Sequence, residues 1–136
     1  APDARSTVRS AMIAGIGTDI AAVARLGRLY ERHGERTLEK ILAFGERDAF
    51  AKAKDPARFL AKRFAAKEAF GKALGIGVVH PATLPNVAVT HDHLGKPMFD
   101  YAPELAAYLA ERGLHAHLSI SDEAEYAVAF VVLERQ

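Results

Sequence analysis

The sequence contains no cysteine among its 136 residues. This absence excludes disulfide bonds, thiolate metal sites and a cysteine nucleophile, so any chemistry must come from carboxylates, histidines, serines, lysines or a hard metal ion. The sequence also lacks an apolar run approaching the roughly 20 residues that span a bilayer, and residues 1–11 lack the hydrophobic segment of a secretory signal. We therefore expect a cytoplasmic protein that has no membrane partner.

The chain has little net charge, +1 at pH 7 with histidine neutral. So small a charge gives no global reason to expect nucleic acid as a partner, and an acidic partner would have to be recognised by a local cluster of basic side chains. With 50% hydrophobic and 26% charged residues, the composition is that of one compact globular domain. Met12 has the character of a natural start, so we expect a domain over residues 12–136, preceded by an extension over residues 1–11 that is either native or added.

Apolar periodicity, together with glycine and proline positions, predicts strands mixed with helices. The longest pattern, RFLAKRFAAKEAFGKALG, follows Pro56 and ends at Gly75, which predicts a helix of about five turns. The other predicted elements are a strand at 12–20, helices at 21–32 and 46–54, a hairpin with strands at 86–93 and 98–101, a helix at 103–112, and strands at 115–121 and 125–134. No internal repeat or long linker divides them, so we predict a single α+β domain.

The first candidate site is the segment GIGTDI at the end of the first predicted strand. A dinucleotide-binding loop needs a third glycine where this chain has Ile20, which excludes the Rossmann interpretation. Strand alternation places Gly15, Gly17 and Asp19 on one face. Two interpretations remain open: the glycines leave room beside the carboxylate for a metal ion with a phosphate-bearing ligand, or they mark a tight packing contact followed by a helix-capping aspartate.

The second candidate site lies in the long helix, where Glu68 and Lys72 share a face. Such a pair is usually an exposed ion pair worth about 0.2–0.5 kcal/mol. Here apolar residues surround Glu68 and form a second stripe on the opposite side, so the helix is expected to be buried on two sides. A carboxylate in such surroundings needs a cation or a metal ion as its partner.

The third candidate site is the strand HAHLSIS, whose alternation puts His115, His117, Ser119 and Ser121 on one face. An edge strand that faces solvent explains this pattern, whereas a pair of zinc-binding histidines is less well supported because the spacing suggests no third ligand.

Together, in this order, these segments resemble the holo-acyl-carrier-protein synthase family of 4′-phosphopantetheinyl transferases. The family pattern G-[IV]-G-x-D-[IL] matches residues 15–20, [FW]-x-x-K-E-A-x-x-K-A matches residues 64–73, and H-x-S-[IL]-[ST] matches residues 117–121. A G-[KR]-P turn matches residues 95–97, and the resemblance extends from Met12 to about Glu134. In one departure, the chain has Asp122 where the family commonly has a second histidine.

The resemblance implies an α+β fold and a homotrimer whose active sites lie at subunit interfaces. It also implies that Asp19 and Glu68 bind Mg²⁺, and that Lys72 holds a phosphate oxygen of coenzyme A. A serine hydroxyl of an apo-acyl carrier protein would attack the β-phosphorus of coenzyme A, and adenosine 3′,5′-bisphosphate would leave. The general base stays open between Glu68, a water molecule on the ion, and deprotonation assisted by Mg²⁺.

The resemblance assigns further residues to the two substrates. Arg63 and His117 would bind the phosphates or the ribose end of coenzyme A, and Lys96 and Pro97 would frame the adenine from a neighbouring subunit. The carrier protein, which is acidic around its modified serine, would meet a basic stripe on the first predicted helix, formed by Arg25, Arg28 and Arg32.

The sequence leaves open other interpretations of the arginine stripe and of the function. The arginine stripe also fits an ordinary solvated face with Glu31 and Glu35 as its partners. The client could be a carrier protein of secondary metabolism instead of fatty-acid synthesis, or the chain could be a coenzyme-A-binding module without activity. A phosphatase or nuclease with two metal ions is less well supported, because no acids cluster at short spacing.

Overall fold

The computed structural model describes residues 12–136, so the predicted extension over residues 1–11 lies outside the described residues. This part of the chain is an α+β domain in which an antiparallel sheet packs on one long helix, as predicted. In chain order the elements are β1 (Met12–Ala22), α1 (Val23–His33), α2 (Glu35–Ile41), a 3-10 turn (Phe44–Glu46), α3 (Arg47–Ala51), α4 (Pro56–Leu74), a second 3-10 turn (Leu84–Asn86), β2 (Val87–His91), β3 (Pro97–Tyr101), α5 (Pro103–Glu111), β4 (Leu114–Asp122) and β5 (Tyr126–Arg135).

The long predicted helix is confirmed as α4, which has 19 residues. Its first turn is stabilised by the Asp55 side chain, which accepts a hydrogen bond from the backbone N–H of Arg58 at 3.1 Å, and Pro56 occupies a first-turn position where no N–H is needed. Gly75 ends the helix with a φ of 83°, a left-handed conformation that glycine adopts without strain. Within residues 12–136 no helix combines the length and the apolar character needed to cross a membrane.

The second helix of the domain was not predicted. α2 begins directly after Gly34, whose φ of 52° ends α1 and turns the chain. With 7 residues, α2 is too short to show a periodic pattern of its own. The helix predicted at 46–54 is also shorter in the structure, where its regular part is confined to Arg47–Ala51.

The main sheet has three antiparallel strands in the order β1-β5-β4, and β2 and β3 form a separate hairpin as predicted. The inner face of β5, which packs on α4, is fully buried and carries Ala127, Ala129, Val131 and Leu133. The outer face of the same sheet exposes apolar side chains, namely Ile16, Ile20, Tyr126, Val128 and Phe130. In the single chain this outer face is therefore an apolar surface.

The two glycines of β1 let the strand approach α4 at backbone distance. A Cβ atom added to Gly17 would lie 2.0 Å from the carbonyl oxygen of Ala69, and one added to Gly15 would lie 2.0 Å from that of Ala73. The space in front of the glycines is thus filled by the helix, which favours the packing interpretation of this motif over an open ligand space. The same contact brings the strand that carries Asp19 against the helix that carries Glu68.

Replacing Gly17 with alanine is expected to lower the free energy of unfolding by about 1–3 kcal/mol, because the strand and the helix must move apart to admit a methyl group. Gly45→Ala is a matched control, since nothing lies within 4 Å of a Cβ atom added there. Urea unfolding of both variants measures the difference, and equal stabilities would contradict the contact.

Candidate active site

Asp19 and Lys72 meet between β1 and the last turn of α4. Lys72 Nζ donates one hydrogen bond to Asp19 Oδ1 at 3.1 Å and another to the backbone carbonyl of Thr18 at 2.9 Å. The Asp19 side chain is largely buried, whereas about half of the Lys72 side chain is exposed. The contact fixes the orientation of the Asp19 carboxylate and leaves the lysine charge within reach of a ligand.

Glu68 lies one turn before Lys72 and close to the same carboxylate. The pKa of Glu68 is raised above its ordinary value, chiefly because the group is partly buried and then because the negative charge of Asp19 is near. The positive charges of Lys72 and Arg25 act in the opposite direction. Two carboxylates that repel each other in a partly buried place form a site that a cation stabilises.

The carboxylates of Asp19 and Glu68 are suitable ligands for Mg²⁺. Asp19 Oδ2 is buried and has no hydrogen-bond partner, an unusual state for a carboxylate oxygen, which normally accepts a hydrogen bond or binds an ion. Among residues 12–136 no group of three or more His, Cys, Asp or Glu side chains is placed to hold a metal ion. Mg²⁺ commonly uses one or two protein carboxylates and takes its other ligands from phosphate oxygens and water, so Asp19 and Glu68 suffice.

The predicted arginine stripe is present on α1. Arg25, Arg28 and Arg32 are all exposed, while Leu26, on another side of the helix, is fully buried. The guanidinium of Arg25 lies 5.4 Å from the centre of the Phe64 ring. The basic surface of α1 therefore reaches the edge of the Asp19 and Glu68 site.

Arg63 lies elsewhere on α4, away from Glu68. Side chains five residues apart on a helix leave it about 140° apart, and Arg63 stacks over Phe59, with its guanidinium carbon 4.2 Å from the ring centre. It lines a cavity of about 260 Å³ with the cationic side chains of Lys54, Arg58 and Lys62, the acidic side chain of Asp55, and His91, whose pKa burial lowers. A concentration of positive charge in one concave place is suited to a phosphate group.

Lys96, Pro97 and His117, which lie far apart in sequence, line one cavity of about 590 Å³ between the β2–β3 hairpin, α5 and β4. His117 Nε2 also lies 2.5 Å from Glu134 Oε1 on the neighbouring strand β5. The predicted exposure of His115, His117, Ser119 and Ser121 is confirmed. Neither this cavity nor the basic one is lined by Asp19, Glu68 or Lys72.

Asp122, the departure from the family pattern, pairs with basic residues of α4. Its Oδ2 accepts a hydrogen bond from Arg58 Nη1 at 3.1 Å, and its Oδ1 lies 3.8 Å from Lys62 Nζ. Arg58 also donates to the backbone carbonyls of Glu123 and Ala124. Asp122 thus ties the turn between β4 and β5 to the first half of α4, beside the basic cavity.

Glu46 was missed from the sequence. It is 3% exposed and lies within ion-pair distance of both Arg63 and Lys67, which are themselves buried. A lysine at position 67 in an otherwise apolar part of α4 is the signal in the sequence that a buried acid must face it. The acid comes from a distant segment and has no spacing that identifies it.

Comparison with known proteins agrees with the family resemblance found in the sequence. A family model described as the 4′-phosphopantetheinyl transferase superfamily matches residues 15–131. The holo-[acyl-carrier-protein] synthase of Aromatoleum aromaticum is 62% identical over 125 residues, which cover 92% of this chain and 100% of that protein.

Two solved structures extend the comparison to three dimensions. The crystal structure of the holo-[acyl-carrier-protein] synthase of Neisseria meningitidis is 46% identical, with a TM-score of 0.88, and the match covers 91% of this chain and 100% of that chain. The enzyme of the same name from Bacillus anthracis, solved in complex with CoA (3′,5′-ADP), is 35% identical, with a TM-score of 0.77 and coverage of 92% and 99%.

Proposed function

The chain belongs to the 4′-phosphopantetheinyl transferase superfamily, and from this we propose that it transfers the 4′-phosphopantetheine arm of coenzyme A to a serine of apo-acyl carrier protein. The observation that carries the proposal is the cluster of Asp19, Glu68 and Lys72 in a chain that matches the relatives over more than 90% of its length. The cytoplasm, where coenzyme A and carrier proteins are present together, is the compartment we assign to it.

In the reaction one phosphorus–oxygen bond forms and another breaks. The serine oxygen bonds to the β-phosphorus of coenzyme A, and the bond from that phosphorus to the bridging oxygen breaks. The electron pair leaves with adenosine 3′,5′-bisphosphate, and the serine proton passes to a base. Since the transferring group needs positioning and charge neutralisation more than covalent help, the side chains required are cations and metal-binding carboxylates.

Asp19 and Glu68 are the residues that would hold Mg²⁺. When bound there, the ion neutralises charge on the pyrophosphate and on the departing group. Lys72 contributes a second positive charge: its Nζ, already directed at Asp19, is free on its exposed side to donate to a phosphate oxygen. Arg25, which also acts on Glu68, adds positive charge at the edge of the site.

The coenzyme A site is completed by a second copy of the chain. Arg63, Lys96, Pro97 and His117 line cavities that the metal-binding residues do not reach, and Arg63 leaves α4 about 140° away from Glu68. The two sets therefore lie at different places on one chain, which favours a site that is shared between two subunits. We assign the binding of the phosphates and the nucleoside end of coenzyme A to these four residues on a neighbouring subunit.

The homotrimer supplies that neighbour. The outer face of the main sheet exposes Ile16, Ile20, Val128 and Phe130 to between 37% and 61%, an apolar surface that self-association removes from water. A closed ring of three subunits is built from heterologous contacts, in which two different surface patches of each subunit meet, and the apolar face supplies one of them. A monomer with full activity, measured by light scattering at micromolar concentration, would contradict this assignment.

The carrier protein docks on the basic stripe of α1, which consists of Arg25, Arg28 and Arg32. Beside α1 lies a cavity of about 370 Å³ with an apolar floor that includes Leu29, Ile41, Phe64 and Leu84 and a basic rim of His33, Arg36 and Lys40. Basic charge around an apolar hollow is complementary to an acidic helix that carries one apolar side chain. Phe64 links this surface to the site, because Arg25 stacks on its ring.

Charge reversal at Arg25 and Arg28 is expected to raise the Michaelis constant for apo-carrier by about tenfold or more, a loss of at least about 1.4 kcal/mol, and to flatten its dependence on salt. The Michaelis constant for coenzyme A should scarcely change on charge reversal at Arg28 alone, because Arg28, unlike Arg25, has no assigned contact with the metal-binding site. Charge reversal at Arg112, which lies on a different helix and stacks on Tyr108, is a control for net charge. An unchanged Michaelis constant for apo-carrier would indicate that the stripe is an ordinary solvated surface.

The function is tested by the release of adenosine 3′,5′-bisphosphate, measured by chromatography, in mixtures that contain coenzyme A, Mg²⁺ and an apo-carrier. Release should require all three. Binding of coenzyme A without release on any carrier would indicate a coenzyme-A-binding module. Faster release with carriers of secondary metabolism than with those of fatty-acid synthesis would identify the other client class.

A further inference from the structure

Glu46, at the end of the first 3-10 turn, is a buried side chain that contacts four groups outside the metal-binding cluster. Its Oε1 accepts hydrogen bonds from the backbone N–H of Ala43 at 2.8 Å and from Lys67 Nζ at 2.5 Å. Its Oε2 accepts one from the backbone N–H of Val89 at 3.0 Å and lies 2.9 Å from Arg63 Nε. One carboxylate therefore joins the 3-10 turn, the hairpin and α4.

The charges of this cluster do not balance. Glu46 is shared by two cations, Arg63 and Lys67, so the buried group carries a net charge of +1. Burial lowers the pKa of Lys67 to about 8 and also lowers that of Arg63, although Glu46 opposes both shifts. Of these residues Arg63 lines the basic cavity, and its incompletely balanced positive charge is stabilised when an anion occupies that cavity.

The geometry of Arg63 also leaves donor capacity toward that cavity. Its Nε lies within ion-pair distance of Glu46 but is not aligned for a hydrogen bond, and its guanidinium carbon lies over the Phe59 ring, 4.2 Å from the ring centre. Glu46 on one side and the aromatic ring on the other restrict the rotamers of Arg63. A guanidinium restrained in advance loses less entropy when it binds a phosphate.

The Oε2 atom of Glu46 also contacts the β2–β3 hairpin. Val89 lies on β2, directly upstream of the turn that carries Lys96 and Pro97. That turn is itself fixed by Asp92, whose Oδ1 accepts hydrogen bonds from the backbone N–H groups of Leu94 and Lys96. Glu46 thus contacts two of the three elements that carry residues assigned to coenzyme A, namely α4 and the hairpin, and it has no hydrogen bond or ion pair with Asp19, Glu68 or Lys72.

We propose that Glu46 is a positioning residue for coenzyme A: it holds Arg63 and the β2–β3 hairpin in one fixed arrangement, and it touches no substrate itself. The inference rests on the proposed function, because it takes the anion of the basic cavity to be a phosphate of coenzyme A. It predicts a defect that is selective for one of the two substrates. A carboxylate with a merely structural role would affect both.

Glu46→Gln keeps the shape of the side chain and removes its charge. We expect two constants to rise about tenfold: the Michaelis constant for coenzyme A and the dissociation constant for adenosine 3′,5′-bisphosphate, measured by calorimetry. The reason is that Arg63 is no longer held in place to make a charge-assisted contact with a phosphate. We expect kcat and the Michaelis constant for apo-carrier to stay within about twofold. Glu35→Gln, which removes the carboxylate that pairs with Arg47 at the surface, is the matched control and should change none of these constants.

A double-mutant cycle separates positioning from general destabilisation. Because Glu46 acts partly through Arg63, adding Glu46→Gln to Arg63→Ala should cause a smaller loss of bisphosphate affinity than Glu46→Gln causes alone, and only the effect through the hairpin should remain. Fully additive losses, or equal losses toward coenzyme A and carrier, would overturn the proposal. If Glu46→Gln alone does not fold, the pair Glu46→Gln with Lys67→Met returns the cluster to its original net charge of +1 and should show the same selective rise.

The bisphosphate measurement also distinguishes the failure of this proposal from the failure of the proposed function. If the unmodified protein binds adenosine 3′,5′-bisphosphate and the Glu46→Gln protein binds it equally well, Glu46 has no positioning role. If the unmodified protein does not bind it at all, the assignment to coenzyme A is wrong, and the inference falls with it.

Discussion

Replacing Asp19 or Glu68 with alanine is expected to lower the rate of phosphopantetheine transfer by about a hundredfold or more, since each change removes an oxygen ligand of the ion that neutralises the pyrophosphate. The fold should survive. The two carboxylates raise each other's free energy in the folded state, as the pKa of Glu68 shows, so the loss of either removes a repulsion. Transfer assays over a range of Mg²⁺ concentrations measure the effect.

Exposed carboxylates at other places provide the controls for this prediction. Asp48→Ala on α3 and Glu39→Ala on α2 remove the same chemical groups from exposed positions, and both variants should keep the activity of the unmodified protein. Circular dichroism and thermal unfolding verify that all four variants fold. If Asp19→Ala or Glu68→Ala turned over normally at limiting Mg²⁺, the assignment of the metal ligands would be wrong.

If each site takes residues from two subunits, as proposed, a mixture of Asp19→Ala and Arg63→Ala proteins, each defective alone, should recover activity. Asp19→Ala subunits keep an intact Arg63, and Arg63→Ala subunits keep both acids. When the two are co-expressed in equal amounts, a site is intact only where an acid-bearing subunit meets an arginine-bearing neighbour. Random assembly makes this the case for about one quarter of the sites, one half times one half.

The measurement is the transfer rate of the co-expressed mixture relative to unmodified protein. The coenzyme A concentration should saturate the unmodified protein but not the Arg63→Ala variant. Recovery of about a quarter of the activity is expected from the same arithmetic. If the site were contained in one chain, every site in the mixture would carry a defect, and no recovery would be seen. Mixing Asp19→Ala with Glu68→Ala, both defective in the same half of the site, is the control that should stay inactive.

The sequence predicted those features that depend on local patterns. The long helix between Pro56 and Gly75 is marked by its proline, its helix-forming residues and its glycine, and the structure places it where the pattern did. Strand alternation placed Asp19 on one face of β1 with Gly15 and Gly17, and this face is the one that packs on α4. Resemblance then connected these segments, and the contact between Lys72 and Asp19 agrees with it.

Features that depend on contacts between distant segments were not predictable in this way. The glycines of β1 fit a ligand space and a packing contact equally well, and the structure shows that α4 occupies the space. The sequence also gave no means of finding Glu46, because a single acid in a short turn has no periodicity and its partners are 17 and 21 residues away. Helical spacing separates Arg63 from Glu68, yet only the fold shows which elements each of them faces.

The most direct test of the account is the intact mass of an apo-acyl carrier protein after incubation with this protein, coenzyme A and Mg²⁺. If the chain transfers phosphopantetheine to a serine, the carrier gains the mass of one phosphopantetheine group. A carrier whose acceptor serine is replaced by alanine gains nothing, and Asp19→Ala protein leaves both carriers unchanged. An unmodified carrier after prolonged incubation with folded protein, or a gain that does not need the serine, would contradict the proposed function.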